Sequence, residues 1–222
     1  CVPPGCEDSP SFTVSQHLSF DGVRKSLSDL KKRVEEICEK EFNKIRPQYF
    51  YYLTLDPNTA HCRLILSDKN RVVTYSRTEQ RYSDHPERFD SWPQVLCKES
   101  VCGRCYWEVE WNGCVLISVS YKEISRKGGA NECLFGYNSQ SWTLQCSSSS
   151  VCFWNDKIKT ELRGPASSRI GVYVDHSAGT LSFYSVSDTK TLLHTVHATF
   201  TQPLYAGFCV GNNSTVRLCN PK

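Results

Sequence analysis

Residues 103–121 read GRCYWEVEWNGCVLISVSY, and this stretch decides the fold. Side chains two apart share one face of a strand, and here the two faces differ in polarity. One face carries Cys105, Trp107, Val109 and Trp111, and the other carries Tyr106, Glu108 and Glu110. Asn112-Gly113 then separates this run from a second β-rich run, a position in which Asn-Gly favours a hairpin. The stretch predicts two antiparallel strands with Trp107 in the core between sheets.

Strand patterns continue on both sides of this stretch. The predicted strands cover residues 62–66, 71–75, 104–111, 115–121, 132–136, 141–145, 170–174, 180–186 and 204–210. Turn-forming residues separate many of them, and no helical pattern lies between them. Many short strands without interleaved helices indicate an all-β domain, a two-sheet antiparallel β-sandwich.

A helical pattern lies upstream of the strands. Residues 1–20 are polar and contain prolines, which predicts a linker. From residue 21 onward apolar residues recur three or four apart, and Pro47 is expected to end this helix. The stripe consists of Val23, Leu27, Leu30, Val34, Ile37, Cys38, Phe42 and Ile45. The predicted organisation is a linker over 1–20, an amphipathic helix over 21–48, which either packs on the sandwich or ends a coiled coil, and the β domain over 49–222.

Composition narrows the class of protein. The 222 residues are 39% hydrophobic and 12% aromatic, which excludes a mainly disordered chain. The net charge of +3 is too small to indicate nucleic-acid or membrane binding by itself. No apolar run approaches a membrane span, and no secretory signal opens the chain. The chain starts at Cys1 and lacks methionine, so we expect it to be part of a longer protein.

The cysteines predict the compartment. Thirteen of them are scattered through a long, strand-rich chain, whereas disulfide scaffolds are short and rich in loops. We therefore interpret most of them as buried reduced thiols and predict a cytoplasmic location. The overlapping sequons at Asn212 and Asn213 point the other way, but they would matter only in a secreted protein.

Three ordered motifs carry a family resemblance. They are LTLDPNTA at 53–60, GRCYWEVE at 103–110 and IGVYVDHSAGTLSFY at 170–184. They resemble the LDP, WEVE and LDYE motifs of the PRY-SPRY domain, also called B30.2, and the resemblance covers residues 49–222. The third motif departs from the family pattern, because Val174-Asp175-His176-Ser177 stands where Leu-Asp-Tyr-Glu is usual. The resemblance implies a SPRY/B30.2 sandwich, a concanavalin-like jelly-roll, with an N-terminal α-helical extension.

The segment 12–45 looks like the region between the coiled coil and the B30.2 domain in fish tripartite-motif proteins. This resemblance implies a parent protein that dimerises through an upstream coiled coil and acts as a RING-type E3 ubiquitin ligase in innate, including antiviral, immunity. The catalytic machinery and its zinc would lie in the RING or B-box of that parent. For this chain we expect no enzyme activity and no cofactor.

Candidate chemical groups are few. Cys102 and Cys105 form a C-x-x-C without the second pair that a zinc site needs. His194 and His197 lie three apart in a β-rich stretch, a spacing that puts them on opposite faces. The sequence leaves a Cys–His catalytic pair open, but no nucleophile motif supports one.

Long polar loops are expected at residues 75–90, 121–131 and 146–165. Loops on a rigid scaffold commonly carry binding function, and Trp, Tyr and Arg dominate interface hot spots. The candidate ligand-binding residues are Tyr82, Tyr121, Lys122, Arg126, Trp142, Phe153, Trp154 and Asn155. Each aromatic candidate could equally belong to the core, and for Trp142, in a predicted strand, the core is favoured.

The sequence therefore predicts a protein-recognition module that binds a host or viral protein through its loops and does not bind a membrane. An RNA-binding module is the alternative, with basic residues meeting phosphates. Those residues are Arg81, Lys122, Arg126, Lys127, Lys157 and Lys159. A further alternative is the B30.2 domain of a NOD-like receptor, a butyrophilin-like protein or a toxin-like protein.

Overall fold

The computed structural model describes residues 20–129, 131–162, 167–188 and 190–220. The chain divides into two compact units, residues 1–40 and residues 41–222. The predicted linker over residues 1–20 lies outside the described residues, apart from the exposed turn residue Phe20.

Helix α1 spans Asp21–Tyr49. The prediction that Pro47 ends the helix is wrong, because α1 continues for two residues beyond it. A proline in the last turn removes only one backbone hydrogen bond, so the helix can continue past it to its end. Five members of the apolar stripe are between 51% and 61% exposed, namely Val23, Leu27, Leu30, Val34 and Ile37.

Among the described residues, thirteen strands form two sheets in which all pairs of neighbouring strands are antiparallel. The strands are β1 Leu64–Ser67, β2 Val72–Tyr75, β3 Gln94–Val101, β4 Arg104–Asn112, β5 Val115–Tyr121, β6 Ser141–Cys146, β7 Val151–Asn155, β8 Ile158–Glu161, β9 Arg169–Asp175, β10 Thr180–Val186, β11 Lys190–His197, β12 Leu204–Val210 and β13 Thr215–Leu218. The seven-stranded sheet has the order β1-β2-β13-β4-β9-β10-β11, and the six-stranded sheet has the order β3-β12-β5-β6-β7-β8. The predicted two-sheet sandwich is confirmed.

The core lies between the two sheets. Trp107 and Val109 of β4 belong to the same buried cluster as Ile117 of β5 and Phe208 of β12. Trp107 is 2% exposed, as its place in the alternating pattern predicts.

The predicted hairpin at Asn112-Gly113 is wrong. β4 belongs to the seven-stranded sheet and β5 to the six-stranded sheet, so this turn carries the chain from one sheet to the other. At the crossing, Ser214 accepts a hydrogen bond from the Cys114 amide (2.9 Å). Gly113 has a φ of 84°, and a Cβ there would lie 2.3 Å from the Ser214 hydroxyl oxygen. The packing of two crossing loops, rather than a strand ladder, determines this connection.

The predicted strand at residues 132–136 is also wrong. The short 3-10 helix Asn131–Cys133 begins this segment, and Gly136 ends it with a φ of 84°, which an extended strand does not allow. Five strands fall where none is predicted, β3, β7, β8, β11 and β13. Of these, β7 and β8 lie inside the predicted loop 146–165, which is a hairpin for most of its length.

Candidate functional site

Two loops cover part of the outer face of the six-stranded sheet. Phe89 comes from the loop before β3, and Ile124 and Phe135 come from the loop between β5 and β6. Together with Leu96 of β3 they form a second buried cluster, separate from the core between the sheets. The rings of Phe89 and Phe135 pack edge to face, with their centroids 5.6 Å apart. The cluster exists because Gly207 of β12 has no side chain, since a Cβ there would lie 2.7 Å from the Phe135 ring.

Gln94 fastens one of these loops to the sheet. Its side chain is fully buried, its amide nitrogen donates to the Cys133 carbonyl oxygen (2.6 Å), and its amide oxygen accepts from the Phe135 N–H (2.9 Å). A buried side chain with both amide groups satisfied favours a single loop conformation over its alternatives.

Residues 86–87 of the first loop and 122–126 of the second line an open depression of about 430 Å³. Across it, the Lys122 ammonium donates a hydrogen bond to the Glu87 carboxylate, with 3.2 Å between Nζ and Oε1. This hydrogen bond raises the pKa of Lys122. The Arg126 guanidinium stacks on the Phe89 ring at 4.6 Å and donates to the Lys122 carbonyl oxygen (2.7 Å). Burial lowers the pKa of Arg126. The depression therefore combines the half-buried Arg126 with the Lys122–Glu87 ion pair, and Glu123, which also lines it, balances its formal charge.

An aromatic platform lies on the same face of the sheet and is formed by residues of β6, β7, β8 and the loop before β6. Tyr137 stacks on Trp154 with the ring centroids 4.8 Å apart. The Trp154 indole N–H donates to the Gln145 side-chain oxygen (2.8 Å), and the Lys159 ammonium lies 5.8 Å from the Trp154 ring. Gly136 makes the stack possible, because a Cβ there would lie 2.7 Å from Trp154 Cβ. We name Tyr137, Gln145, Trp154 and Lys159 the aromatic platform.

Two predicted site residues are not on the surface. Trp142 and Phe153 are each 6% exposed and belong to the core between the sheets, so their assignment to binding loops is corrected. Trp142 faces inward on β6 and packs edge to face on Tyr121 and Phe200. Phe153 faces inward on β7 and packs against His194 of β11, with the ring centroids 4.3 Å apart. Strand alternation puts Phe153 inside and its neighbour Trp154 outside.

The other predicted residues are dispersed. Tyr121 is half-buried, and its hydroxyl accepts from the Thr201 amide (3.1 Å). Tyr82 is half-buried and donates to the Leu64 carbonyl oxygen (2.7 Å), which ties its loop to the seven-stranded sheet. Asn155 donates to the Ser141 carbonyl oxygen (3.0 Å). The structure brings together Lys122 and Arg126 in the depression, and it adds Tyr137 and Gln145 around Trp154.

Sequence reasoning missed Tyr137 and Gln145. Tyr137 follows residues 132–136, whose pattern predicts a strand where the structure has a 3-10 helix and a turn, so the pattern gives no position for its side chain. Gln145 shares its face of β6 with Thr143, and Thr143 pairs with Trp154 across the β6–β7 ladder. A correct prediction of β7 would have revealed this neighbourhood, because outward residues on paired strands lie side by side.

Three of the six basic residues named for RNA binding are paired or packed. Lys122 is paired with Glu87, Lys159 is paired with Glu161, and Arg126 is packed on Phe89. Arg81, Lys127 and Lys157 are exposed, so RNA binding stays an alternative.

The ten cysteines from Cys62 to Cys219 are free thiols. Burial raises the pKa of several of them, namely Cys97, Cys105, Cys146, Cys152, Cys209 and Cys219. A raised pKa disfavours the thiolate that metal binding and nucleophilic attack require. Within the described ranges, no group of three or more His, Cys, Asp or Glu side chains is placed to hold a metal ion. No described helix is long and apolar enough to cross a membrane.

Family models match most of the chain. The model of the SPRY-associated domain, PRY, matches residues 53–101, and the SPRY domain model matches residues 104–222, more than half of the chain. The model of the coiled-coil region of TRIM proteins matches residues 1–40.

Individual relatives include both toxins and tripartite-motif proteins. Stonustoxin subunit beta of Synanceia horrida is 38% identical over 164 residues, covering 72% of this chain and 23% of the toxin. Tripartite motif-containing protein 16 of Mus musculus is 35% identical over 199 residues, covering 83% of this chain and 36% of that protein. The crystal structure of the TRIM65 PSpry domain is 30% identical with a TM-score of 0.73, covering 81% of this chain and 96% of that one. The chain thus spans about a quarter to a third of the two full-length relatives.

Proposed function

Because this chain belongs to the SPRY family, with a PRY segment ahead of its SPRY domain, we propose that it recognises a protein target through the outer face of its six-stranded sheet. SPRY domains in tripartite-motif-like proteins are protein-interaction modules. The aromatic platform is the observation that carries the choice of surface. Trp154 and Tyr137 are only half-buried, and they lie beside the depression-forming loops on one face. Exposed, rigid aromatics with polar neighbours are the groups on which interface hot spots are built.

The rigidity of the surface supports the same proposal. The second cluster and Gln94 fix the loops around the depression, so a partner would not have to order them on binding. A preorganised surface loses less conformational entropy on association. Tyr82, Tyr121 and Asn155 are proposed as outlying contacts, whereas Lys122, Arg126 and Trp154 form the central ones.

The proposal extends to the parent protein. The coiled-coil match over residues 1–40 supports a tripartite-motif parent that dimerises through its coiled coil. We further propose that this parent is a cytoplasmic, RING-type E3 ubiquitin ligase of innate immunity, with its zinc in a RING or B-box. In that protein the present chain would bring a host or viral protein to the ligase.

The test compares the chain with a Tyr137→Ala/Trp154→Ala variant. Both are immobilised, the proteins that each retains from cytosol are identified and quantified, and the retained protein is then purified and its Kd measured for both. We expect the variant to bind at least about 30-fold more weakly, since hot-spot truncations cost about 2 kcal/mol or more. Both side chains are only half-buried, so we expect the variant to fold. A retained melting transition checks this.

A Tyr52→Ala variant is the matched control. Tyr52 is an exposed tyrosine that contacts Arg71, away from the outer face of the six-stranded sheet. It should bind as tightly as the unchanged chain. Equal binding by the platform variant, or an equal loss in the Tyr52 variant, would show that another surface recognises the partner.

A further inference from the structure

In the part of the chain that the structure describes, the strand β8 has an open edge. It is the last strand of the six-stranded sheet and pairs only with β7 among the described strands. All four of its side chains are exposed, and Ile158 is 69% exposed. Open strand edges offer unpaired backbone N–H and C=O groups to another chain.

Hydrogen-bond alternation shows which residues face this edge. The two-residue turn Asp156-Lys157 joins β7 to β8, and its positive φ values of 48° and 66° are those of a type I′ turn. In such a hairpin the residues on either side of the turn, here Asn155 and Ile158, form a hydrogen-bonded pair. Leu162 donates to the Val151 carbonyl oxygen (3.1 Å), so alternate residues from Ile158 to Leu162 direct their backbone groups toward β7. The backbone N–H and C=O groups of Lys159 and Glu161 therefore point away from β7, toward the open edge of the sheet.

Charge then selects one self-pairing register. An antiparallel pair of two β8 strands can place Lys159 opposite Lys159, Glu161 opposite Glu161, or Lys159 opposite Glu161, because only these two residues offer backbone groups to the edge. The first two registers put like charges opposite each other, which is destabilising. The third puts opposite charges together twice and places Thr160 opposite Thr160 on the two-fold axis.

The remaining side chains agree with that register. Phe153 faces the core and pairs with Thr160, so Ile158, Thr160 and Leu162 share the inner face of β8. In the third register Ile158 comes opposite Leu162 of the second copy, an apolar pair at each end. The segment Ile158-Lys159-Thr160-Glu161-Leu162 is thus self-complementary, as a two-fold interface requires.

We propose that β8 pairs antiparallel with β8 of a second copy of this chain about a two-fold axis at Thr160. Four backbone hydrogen bonds and two Lys159–Glu161 pairs hold the two copies together. One short strand buries far less than a standard interface, so the association is weak and becomes important where the copies are already concentrated. Lys159 also belongs to the aromatic platform, so the pairing is tested by amide exchange within β8 and not by binding of the partner proposed for the platform.

The test uses the full chain and a local readout. Amide hydrogen exchange at Lys159 and Glu161 is measured by NMR at about 10 μM and about 1 mM. We expect exchange at both amides to slow by roughly fivefold at the higher concentration, as for a dissociation constant of about 0.1 mM. Association through α1 leaves these two amides unchanged, because it does not pair β8.

Charge reversals separate the proposed pairing from effects within one chain. Lys159→Glu alone and Glu161→Lys alone should each abolish the concentration dependence, because each creates like-charged pairs in the chosen register. A mixture of the two variants should restore it, since every cross-pair is then of opposite sign while the neighbours within each chain stay like-charged. Lys98→Glu on β3, the other edge strand of this sheet, is the matched control and should behave as the unchanged chain.

Two results would overturn the proposal. The first is exchange at Lys159 and Glu161 that does not depend on concentration in the unchanged chain. The second is a concentration dependence that the single reversals do not weaken, or that their mixture does not restore.

Discussion

Asp175 shows how one side chain of the third motif acts within the fold. Its carboxylate accepts hydrogen bonds from the Ala178 amide (3.0 Å) and from the Arg104 Nε–H (2.8 Å). The bond from the Ala178 amide, followed by the nearby Arg104 guanidinium, lowers the pKa of Asp175. The same carboxylate thus holds the turn after β9 and joins β9 to the start of β4, which explains why the aspartate can stay while its neighbours depart from the family pattern.

We predict that Asp175→Asn destabilises the fold in a pH-dependent way. A carboxyl whose pKa is lower in the folded state stabilises the protein above its unfolded pKa of about 3.9, and this contribution disappears as the pH falls through the folded value. The variant should lose about 1 kcal/mol at pH 7 and approach the unchanged chain below about pH 4. Urea unfolding at several pH values measures this difference. A constant difference at every pH would contradict the electrostatic explanation.

At the scale of elements, Gln94 connects β3 to a loop that is distant in sequence. The two hydrogen bonds to Cys133 and Phe135 replace the strand that residues 132–136 were predicted to form. The loop is therefore positioned by one side chain and one hydrophobic cluster rather than by a β-ladder. Its conformation depends on residues about 40 positions away.

We predict that Gln94→Leu loosens this loop selectively. The substitution leaves the Cys133 carbonyl and the Phe135 amide buried without partners, which costs about 2–3 kcal/mol. Hydrogen exchange should increase at residues 131–137, while β5 and β12 stay protected. The half-exposed Gln80 offers a matched Gln80→Leu control, which should exchange normally. Uniformly faster exchange across both sheets would mean that Gln94 supports the whole sandwich instead.

At the scale of the whole molecule, the exposed apolar stripe of α1 is a candidate interface with another chain. Five of its apolar side chains, from Val23 to Ile37, are more than half exposed, and contiguous exposed apolar surface commonly marks an interface. The coiled-coil match over residues 1–40 agrees with an intermolecular role.

We predict that Leu27→Glu/Leu30→Glu converts a dimeric chain into a monomer. Charges at these positions would be buried in a helical interface, which is strongly unfavourable. Sedimentation equilibrium measures the mass, and near-ultraviolet circular dichroism shows whether the sandwich is intact. Lys32→Glu, a charge reversal at another exposed position of α1, is the control and should remain dimeric. A monomeric unchanged chain would contradict an intermolecular role for the stripe.

The sequence by itself determined the sandwich and much of its core. Period-two alternation is a local property, so β4, β5, β10 and β12 could be predicted nearly to the residue, and Trp107 could be placed inside. The three motifs identified the family for the same reason, because each is a continuous run of residues.

Only the tertiary structure decided which strands pair and which residues form the surface. The Asn112-Gly113 turn favours a hairpin locally, but packing against Ser214 sends β5 into the other sheet. The strand β8 is only four residues long and all of its side chains are exposed, so its pairing with β7 rather than its own sequence pattern determines it. Phe153 and Trp154 differ in exposure because the sheet has two faces. The aromatic platform joins the loop before β6 with β6, β7 and β8, which meet only in the folded chain. Long-range packing, which local propensity does not encode, sets all of these features.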